Sequence, residues 1–412
     1  MKKTLITFIA VLLSLAGAHA QSKHVQTHLW RLDSLTLDSM YNHWYTYAQE
    51  HPQDEVAWRN VYDVYKNYEH YLIDEIKEAS ADRLPKARKE MLQKMGFMEK
   101  MKQAIPDSYT YNICTFGIAN YYVHPADNSY DVYLDRAIEK LPDYDDGYDY
   151  DPLVSIFVVR DDSVRLKKVL DLYFQSGFYP SEELQYNYNE LQGMEEGAVY
   201  IASHDGNVNG KLILQHVLGV RPDVIIFNEN NSYDKEYVNR VFQRIGIPIN
   251  DSIWVHDIIS SLGQKEKMKN ILRYIFEHSQ RPVYLSANNI KDMSNGWGLT
   301  DDMKANLYNE GLTMRYSAKP YDNMAVKRRN VEERYRMEYA LMGFEPQKPN
   351  RRHFNSDVIF LANNYNVLLC DLLPYYEKHD KERYKWLKNL LDGIKKRVNE
   401  SYEKRLKELK KK

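Results

Sequence analysis

A short polar run follows the apolar segment "AVYIAS" and carries four side chains that could bind a ligand. His204, Asp205, Asn207 and Asn209 fall within six residues. Imidazole, carboxylate and amide groups can hold a polar ligand, whereas Asp and Asn in the same place can equally cap a helix and fill a turn. The residue types therefore predict either a ligand site or a polar turn.

The glycines of this run bear on which ligand it would take. Gly206 and Gly210 would let the backbone approach a phosphate or carboxylate closely, and Lys211 would add a positive charge in the first turn of the next helix. The spacing matches neither of the glycine-rich nucleotide motifs. We therefore expect no cofactor, and an anionic small molecule is the ligand class that the run favours.

A second polar run, "NENNSYDKEY", follows the next apolar segment. Asn228 and Glu229 are expected beside the first run, and Asp234 joins them or caps the following helix. His204, Asp205 and Glu229 have acceptable types for a metal, but nothing fixes their geometry, so no metal site is predicted.

Two further features concern binding and catalysis. Trp297 lies between two glycines in "SNGWG", where it could stack on a sugar ring, cover the sheet edge or fold back onto the protein. No G-x-S-x-G elbow is present, and no catalytic residue is predicted. Cys114 and Cys370 are either two buried free thiols or one long-range disulfide.

The elements that would position these residues are short strands alternating with helices. The runs "AVYIAS", "DVIIFN" and "RPVYLSA" are typical of strands buried on both faces of a parallel sheet, and "GLTMRYSA" is a candidate fourth strand. The pattern predicts a small Rossmann-like α/β domain with a parallel sheet over residues 193–325.

Helical periodicity dominates both flanks of that domain. Residues 21–192 read as tetratricopeptide-like helical hairpins, although no strict 34-residue period survives. Residues 326–412 read as a C-terminal helical segment. The predicted fold class is therefore α/β plus all-α.

The N-terminal sequence "MKKTLITFIAVLLSLAGAHA" is typical of a secretory signal peptide over residues 1–20, cleaved near Ala20. No later stretch is apolar for long enough to span a membrane. We therefore expect a soluble periplasmic or secreted protein. A formal net charge of -2 gives no steering field for nucleic acid, so no nucleic-acid partner is predicted.

Four pieces in order, "YNYNEL", "LQHVLGVRPDVIIFN", "RPVYLSA" and "NEGLTMRYSA", carry a resemblance over about residues 180 to 320. They resemble the soluble C-terminal region of Bacteroidota multi-pass membrane proteins related to protein O-mannosyltransferases, a family of unknown function. Exported relatives with tetratricopeptide-like repeats are more similar still. The resemblance implies an envelope protein of this architecture and implies no chemistry.

The sequence departs from that family at the first polar run. The family's "NGDND" falls on residues 203–207, where Asp205 keeps its carboxylate and the second acid becomes Asn207. An acid pair that could hold a cation or share acid/base work is thus halved.

These observations favour a non-enzymatic exported scaffold or adaptor that binds an envelope protein or peptide through its helical repeats. The alternative is a protein that binds a sugar or anion, or a glycan-related enzyme, with a crevice at the carboxyl edge of the sheet.

Overall fold

The computed structural model describes residue 29 and residues 32–78, 93–122, 128–143, 149–202, 205–254, 261–286, 299–338 and 356–411. At Asp205, Gly206 and several helix ends it describes the backbone alone. The chain divides into two compact units, Met1–Tyr144 and Asp145–Lys412. Each unit is described by itself.

The first unit is built from helices in its described part. They are α1 (Ser34–Glu50), α2 (Glu55–Glu78), α3 (Phe97–Ala104), α4 (Tyr109–Tyr122) and α5 (Asp131–Lys140). The α1 helix ends two residues before Pro52, because proline cannot continue a helix. Asp54 Oδ1 accepts a hydrogen bond from Ala57 N at 3.0 Å and so caps α2.

Four of the described helices of this unit pack as two pairs. Helix α1 packs on α2, α4 packs on α5, and α2 also contacts α4. A core with many aromatic rings lies between them and includes Trp58, Tyr65 and Phe97. Neither pair could bury its apolar face alone, so the pairs stabilise each other.

The second unit contains the sheet and the remaining described helices. Its elements are α6 (Tyr150–Arg160), α7 (Ser163–Ser176), α8 (Ser181–Gly193), β1 (Val199–Ala202), α9 (Asp205–His216), β2 (Ile225–Asn228), α10 (Lys235–Ile245), α11 (Ser261–His278), β3 (Val283–Ser286), α12 (Asp301–Ala305), β4 (Leu307–Asn309), β5 (Thr313–Tyr316), α13 (Asn323–Arg329), α14 (Ser356–Leu369), α15 (Leu372–His379) and α16 (Lys381–Lys411). The predicted class, α/β plus all-α, is confirmed. The boundaries predicted near residues 193 and 326 both lie inside this unit.

The sheet has five strands in the order β2-β1-β3-β5-β4 and is mixed. Strand β1 pairs in parallel with β2 and β3, whereas β5 runs antiparallel to β3 and β4. The prediction of a parallel sheet is therefore wrong for its last two strands. A loop of three residues joins β4 to β5, too short for a parallel crossover, and Gly311 takes a φ of 127° in it.

The two faces of the sheet are covered differently. Val199, Ile201 and Phe227 pack against α10 and α11 in one apolar core. Alternate residues point the other way, and there Tyr200 and Tyr284 meet buried polar side chains. The polar face therefore holds a buried hydrogen-bonded group.

The C-terminal helical segment is interrupted where a continuous helix was expected. Within the segment predicted to be helical, the chain leaves helical geometry at Tyr335. There the backbone of Arg336 bonds instead to the side chain of Asn189, with its N–H donating to Oδ1 at 2.7 Å and its carbonyl accepting from Nδ2 at 2.6 Å. This bridge fixes the chain in an extended form beside α8.

Two further expectations concern disulfides and membrane spans. Cys114 and Cys370 are both free, the first buried and the second exposed, so the disulfide alternative is wrong and burial holds for Cys114 alone. None of the helices in the described part combines the length and apolarity needed to cross a membrane.

Candidate functional site

The carboxyl ends of β1, β2 and β3 meet at one edge of the sheet. Ala202 pairs with Asn228 at the ends of β1 and β2, and Ser286 ends β3. This is the edge at which the sequence predicts a crevice. Of the predicted residues, His204 and Trp297 lie outside the described residues, and only the backbone of Asp205 is described.

Asn207 and Asn209 are buried, and both bond within the protein. Asn207 Nδ2 donates to Ser286 Oγ at 3.1 Å, which ties α9 to β3. Asn209 Nδ2 donates to Asp151 Oδ1 at 2.8 Å, which ties α9 to α6. These amide donors therefore connect elements.

The second polar run serves mainly as caps. Asn228 Oδ1 accepts from Asn230 N at 3.0 Å, and Asp234 Oδ1 accepts from Tyr237 N at 2.7 Å, so Asp234 is the cap of α10. Glu229 is half-buried in the turn between them. Asn231 differs, because its Oδ1 accepts from Ser155 Oγ while its buried Nδ2 has no partner within the described part of the chain.

Lys211, expected to add positive charge for an anion, is fully buried on the polar face of the sheet. Its Nζ donates to Glu190 Oε2 at 2.5 Å, to Asn187 Oδ1 at 2.6 Å and to the Asn207 carbonyl at 2.8 Å. It also lies 4.4 Å from the ring centroid of Tyr200. All three ammonium protons are used, so the expectation that Lys211 binds an anion is wrong.

The electrostatics of this buried pair are set by the loss of water. Burial lowers the pKa of Lys211 and raises the pKa of Glu190, while their mutual attraction opposes both shifts. Tyr200 O–H donates to Glu190 Oε1 at 2.9 Å, and burial holds the pKa of Tyr200 well above its ordinary value. The arrangement satisfies both charges and leaves neither of them accessible to a ligand.

Gly210 makes a close approach of the kind predicted, but to protein atoms. A Cβ there would lie 2.4 Å from the Tyr179 hydroxyl oxygen and 2.6 Å from Asn187 Nδ2. The absence of a side chain at Gly210 thus allows α8 and α9 to pack closely.

Arg221 joins two of the segments that carry the family resemblance. It has a φ of 48°, and its guanidinium donates to the carbonyls of Leu191, Met194 and Glu195 at 2.7 to 2.9 Å. It also donates twice to the carboxylate of Asp223, at 2.9 Å each. Arg221, in the run "RPD", therefore holds the end of helix α8 and the residues that follow it in place.

Sequence reasoning missed the roles of the buried polar residues that surround Lys211. Asn187, Asn189 and Glu190 recur within one helix turn of "YNYNEL", and polar residues at that spacing in an apolar helix indicate a buried network. The signal was present, but the partner Lys211 lies 21 residues away, and no local pattern identifies it.

A cavity of about 260 Å³ also escaped prediction. It lies beside β2, between α6, α7, α9 and α10, and its lining includes Phe157, Leu212, His216, Arg240 and Arg244. The two arginines are one helix turn apart in α10, a spacing that could have indicated a shared cationic surface.

No group of acidic, histidine or cysteine side chains in the described residues could hold a metal ion. The chain was compared with protein-family models, curated proteins and solved structures, and nothing in any of the three matches it.

Proposed function

We propose that this protein is an exported, non-catalytic adaptor of the cell envelope that binds another envelope protein or a peptide through its helical hairpins. The observation that carries the proposal is the stack of two helix pairs in the first unit, in which α2 contacts both α1 and α4. Stacked helix pairs create extended surfaces suited to peptide or protein partners. The tetratricopeptide-like hairpins and the N-terminal signal belong to the same proposal.

The second unit fits the part of a rigid platform. Among the described side chains at the sheet edge, Asn207, Asn209 and Asn228 are bonded inside the protein. The charged pair of Lys211 and Glu190 is likewise internal. These contacts support the non-catalytic proposal, because a working site keeps polar groups available to its substrate.

A second candidate function is a sugar- or anion-binding protein, or a glycan-related enzyme, that uses the sheet edge. One observation favours it, the buried Nδ2 donor of Asn231 without a partner in the described residues. A single amide donor is a weak basis for a site. The adaptor proposal therefore stands first.

Site-specific photocross-linking in the native envelope tests the adaptor proposal. A photoreactive phenylalanine analogue replaces Val132 in α5, which is 48% exposed, or Leu218 after α9, which is 45% exposed and serves as the matched control. We expect one protein to be captured at position 132 and not at position 218, as identified by mass spectrometry. Capture at position 218 alone, or at neither position, would count against the first unit as the binding surface.

Export is tested separately by the mature N-terminus. We expect the envelope fraction to contain a chain that begins at Gln21, read by N-terminal peptide mass spectrometry. A chain retained in the cytoplasm with Met1 intact would contradict an envelope role.

A further inference from the structure

The cavity beside β2 combines an apolar wall with a cationic rim. Phe157, Leu212 and Ile226 contribute apolar lining from three different elements. Apolar lining with a few polar groups is the usual composition of a small-molecule site. At about 260 Å³ the cavity suits a ligand smaller than a drug-sized molecule.

The rim carries more positive than negative charge. Arg240 and Arg244 line the cavity from α10, and His216 lines it from α9. Arg240 donates to the carbonyl of Val159, which holds it beside the end of α6. Within the described residues neither arginine forms an ion pair, and Arg244 is exposed.

The net charge around the cavity depends on groups from every surrounding element. Asp161 follows α6 and is the one carboxylate in the lining, while Lys167 projects from α7 close enough to affect His216. The β2 strand contributes only Ile226. The guanidinium groups of α10 therefore outnumber the carboxylates of the lining, and the cavity is complementary to an anion.

We propose that this cavity binds a small organic anion, with a carboxylate or phosphate at Arg240 and Arg244 and an apolar body against Phe157, Leu212 and Ile226. Guanidinium groups bind both kinds of head group through paired hydrogen bonds. The site is separate from the sheet edge, and it goes beyond the adaptor function without depending on it.

The position of His216 adds a pH dependence. Loss of water and the positive charges of Arg244 and Lys167 lower the pKa of His216 from its ordinary value of 6.5. An anion in the cavity favours the protonated imidazole, so binding of a carboxylate should strengthen as pH falls, with uptake of a proton. His216→Gln should remove this dependence for a carboxylate ligand.

Isothermal titration calorimetry on the full mature chain tests the proposal with three probes. They are 4-phenylbutyrate, phenyl phosphate and the neutral 4-phenylbutan-1-ol. We expect at least one of the two anions to bind with a single site and at least about tenfold more tightly than the alcohol, and the arms show which head group is preferred. Failure of both anions, or equal binding of the alcohol, overturns the proposal.

Charge variants locate the site. Arg244→Gln should weaken anion binding about tenfold, because it removes one charge-assisted contact. Lys168→Gln, at an exposed position of α7 outside the lining, is the matched control and should leave binding within about twofold. An equal loss in both variants would show attraction to overall charge and would overturn the assignment to this cavity.

Discussion

At the residue scale, the pair formed by Lys211 and Glu190 concentrates charge where water is absent. Both side chains are fully buried, and Tyr200 and Asn187 satisfy their remaining hydrogen-bonding groups. Removing one member of such a pair leaves an uncompensated buried group, whereas removing both charges restores neutrality. Replacing both charged groups with neutral ones should therefore cost less stability than removing one of them.

The first prediction concerns this pair. Lys211→Met should lower the free energy of unfolding by about 3 kcal/mol, because Glu190 then lies buried without a cation. In the double variant Lys211→Met/Glu190→Gln the loss should be smaller than in the single variant. Urea unfolding measures both, with exposed Lys168→Met as a control expected to change stability by less than about 0.5 kcal/mol. Wild-type stability in Lys211→Met would contradict the buried pairing.

A second residue-scale prediction uses Asp223. The hydrogen bonds from Arg221, aided by the Gly197 N–H, lower the pKa of this carboxyl from 3.8 to about 2. A carboxyl whose folded pKa lies below its unfolded value contributes stability above the unfolded pKa and loses it as pH falls through the folded pKa. Asp223→Asn should therefore cost about 1 kcal/mol at pH 7, after allowance for partial exposure.

The pH dependence separates this electrostatic contribution from a packing defect. Between about pH 4 and pH 2 the stability of the wild type should fall towards that of Asp223→Asn, as measured by urea unfolding at each pH. A difference that stays constant over this range would contradict the role of the Arg221 contacts.

At this scale, the sequence predicted only features that depend on residues nearby in the chain. Asp234 was offered as a cap of α10, and the residue that ends this helix, Gly246, has a φ of 85°, a conformation that favours glycine. Both depend on neighbours within a few residues. The partner of Lys211 could not be found in this way, because it is set by the packing of α8 on α9 across the chain.

At the element scale, the sequence correctly predicted the strands whose residues are all buried. Segments β1, β2 and β3 each have four buried residues in a row, and such runs are recognisable in sequence. The β4 strand was missed because all three of its residues are only half-buried at the edge of the sheet. Mixed polarity of this kind is also typical of loops, so pattern alone cannot separate the two.

The contact of α8 with α9 gives the element-scale prediction. In an open helix Gly210→Ala would stabilise the protein by up to about 1 kcal/mol, because alanine favours helix. Here the added methyl would meet Tyr179 and Asn187 at less than 3 Å, so we expect a loss of about 2 kcal/mol instead. Thermal or urea unfolding shows whether the Gly210→Ala variant is less or more stable than the wild type. A Tyr179→Phe background, which removes the nearest oxygen, should reduce the loss, and a more stable Gly210→Ala variant would contradict the close packing.

At the scale of the whole molecule, each unit has its own apolar core. Trp58, Tyr65 and Phe97 belong to the core of the first unit, and the second unit holds one core against the sheet and another among its C-terminal helices. A segment with its own apolar core can fold alone. The second unit, which begins at Asp145, should therefore fold without the first.

We expect the chain of residues 145–412, produced without the first unit, to fold cooperatively. Its sheet, the Lys211 to Glu190 pair and the clamp of Arg221 all lie within that range, so none of these contacts is lost. The measurement is urea unfolding followed by near-ultraviolet circular dichroism, which reports fixed aromatic packing. A fragment starting at residue 193, the boundary predicted from sequence, is the matched control and should fail to fold, because it lacks Glu190 and the carbonyl that Leu191 offers to Arg221. Equal folding of the two fragments would support the boundary at 193 and would make α6, α7 and α8 dispensable to the sheet.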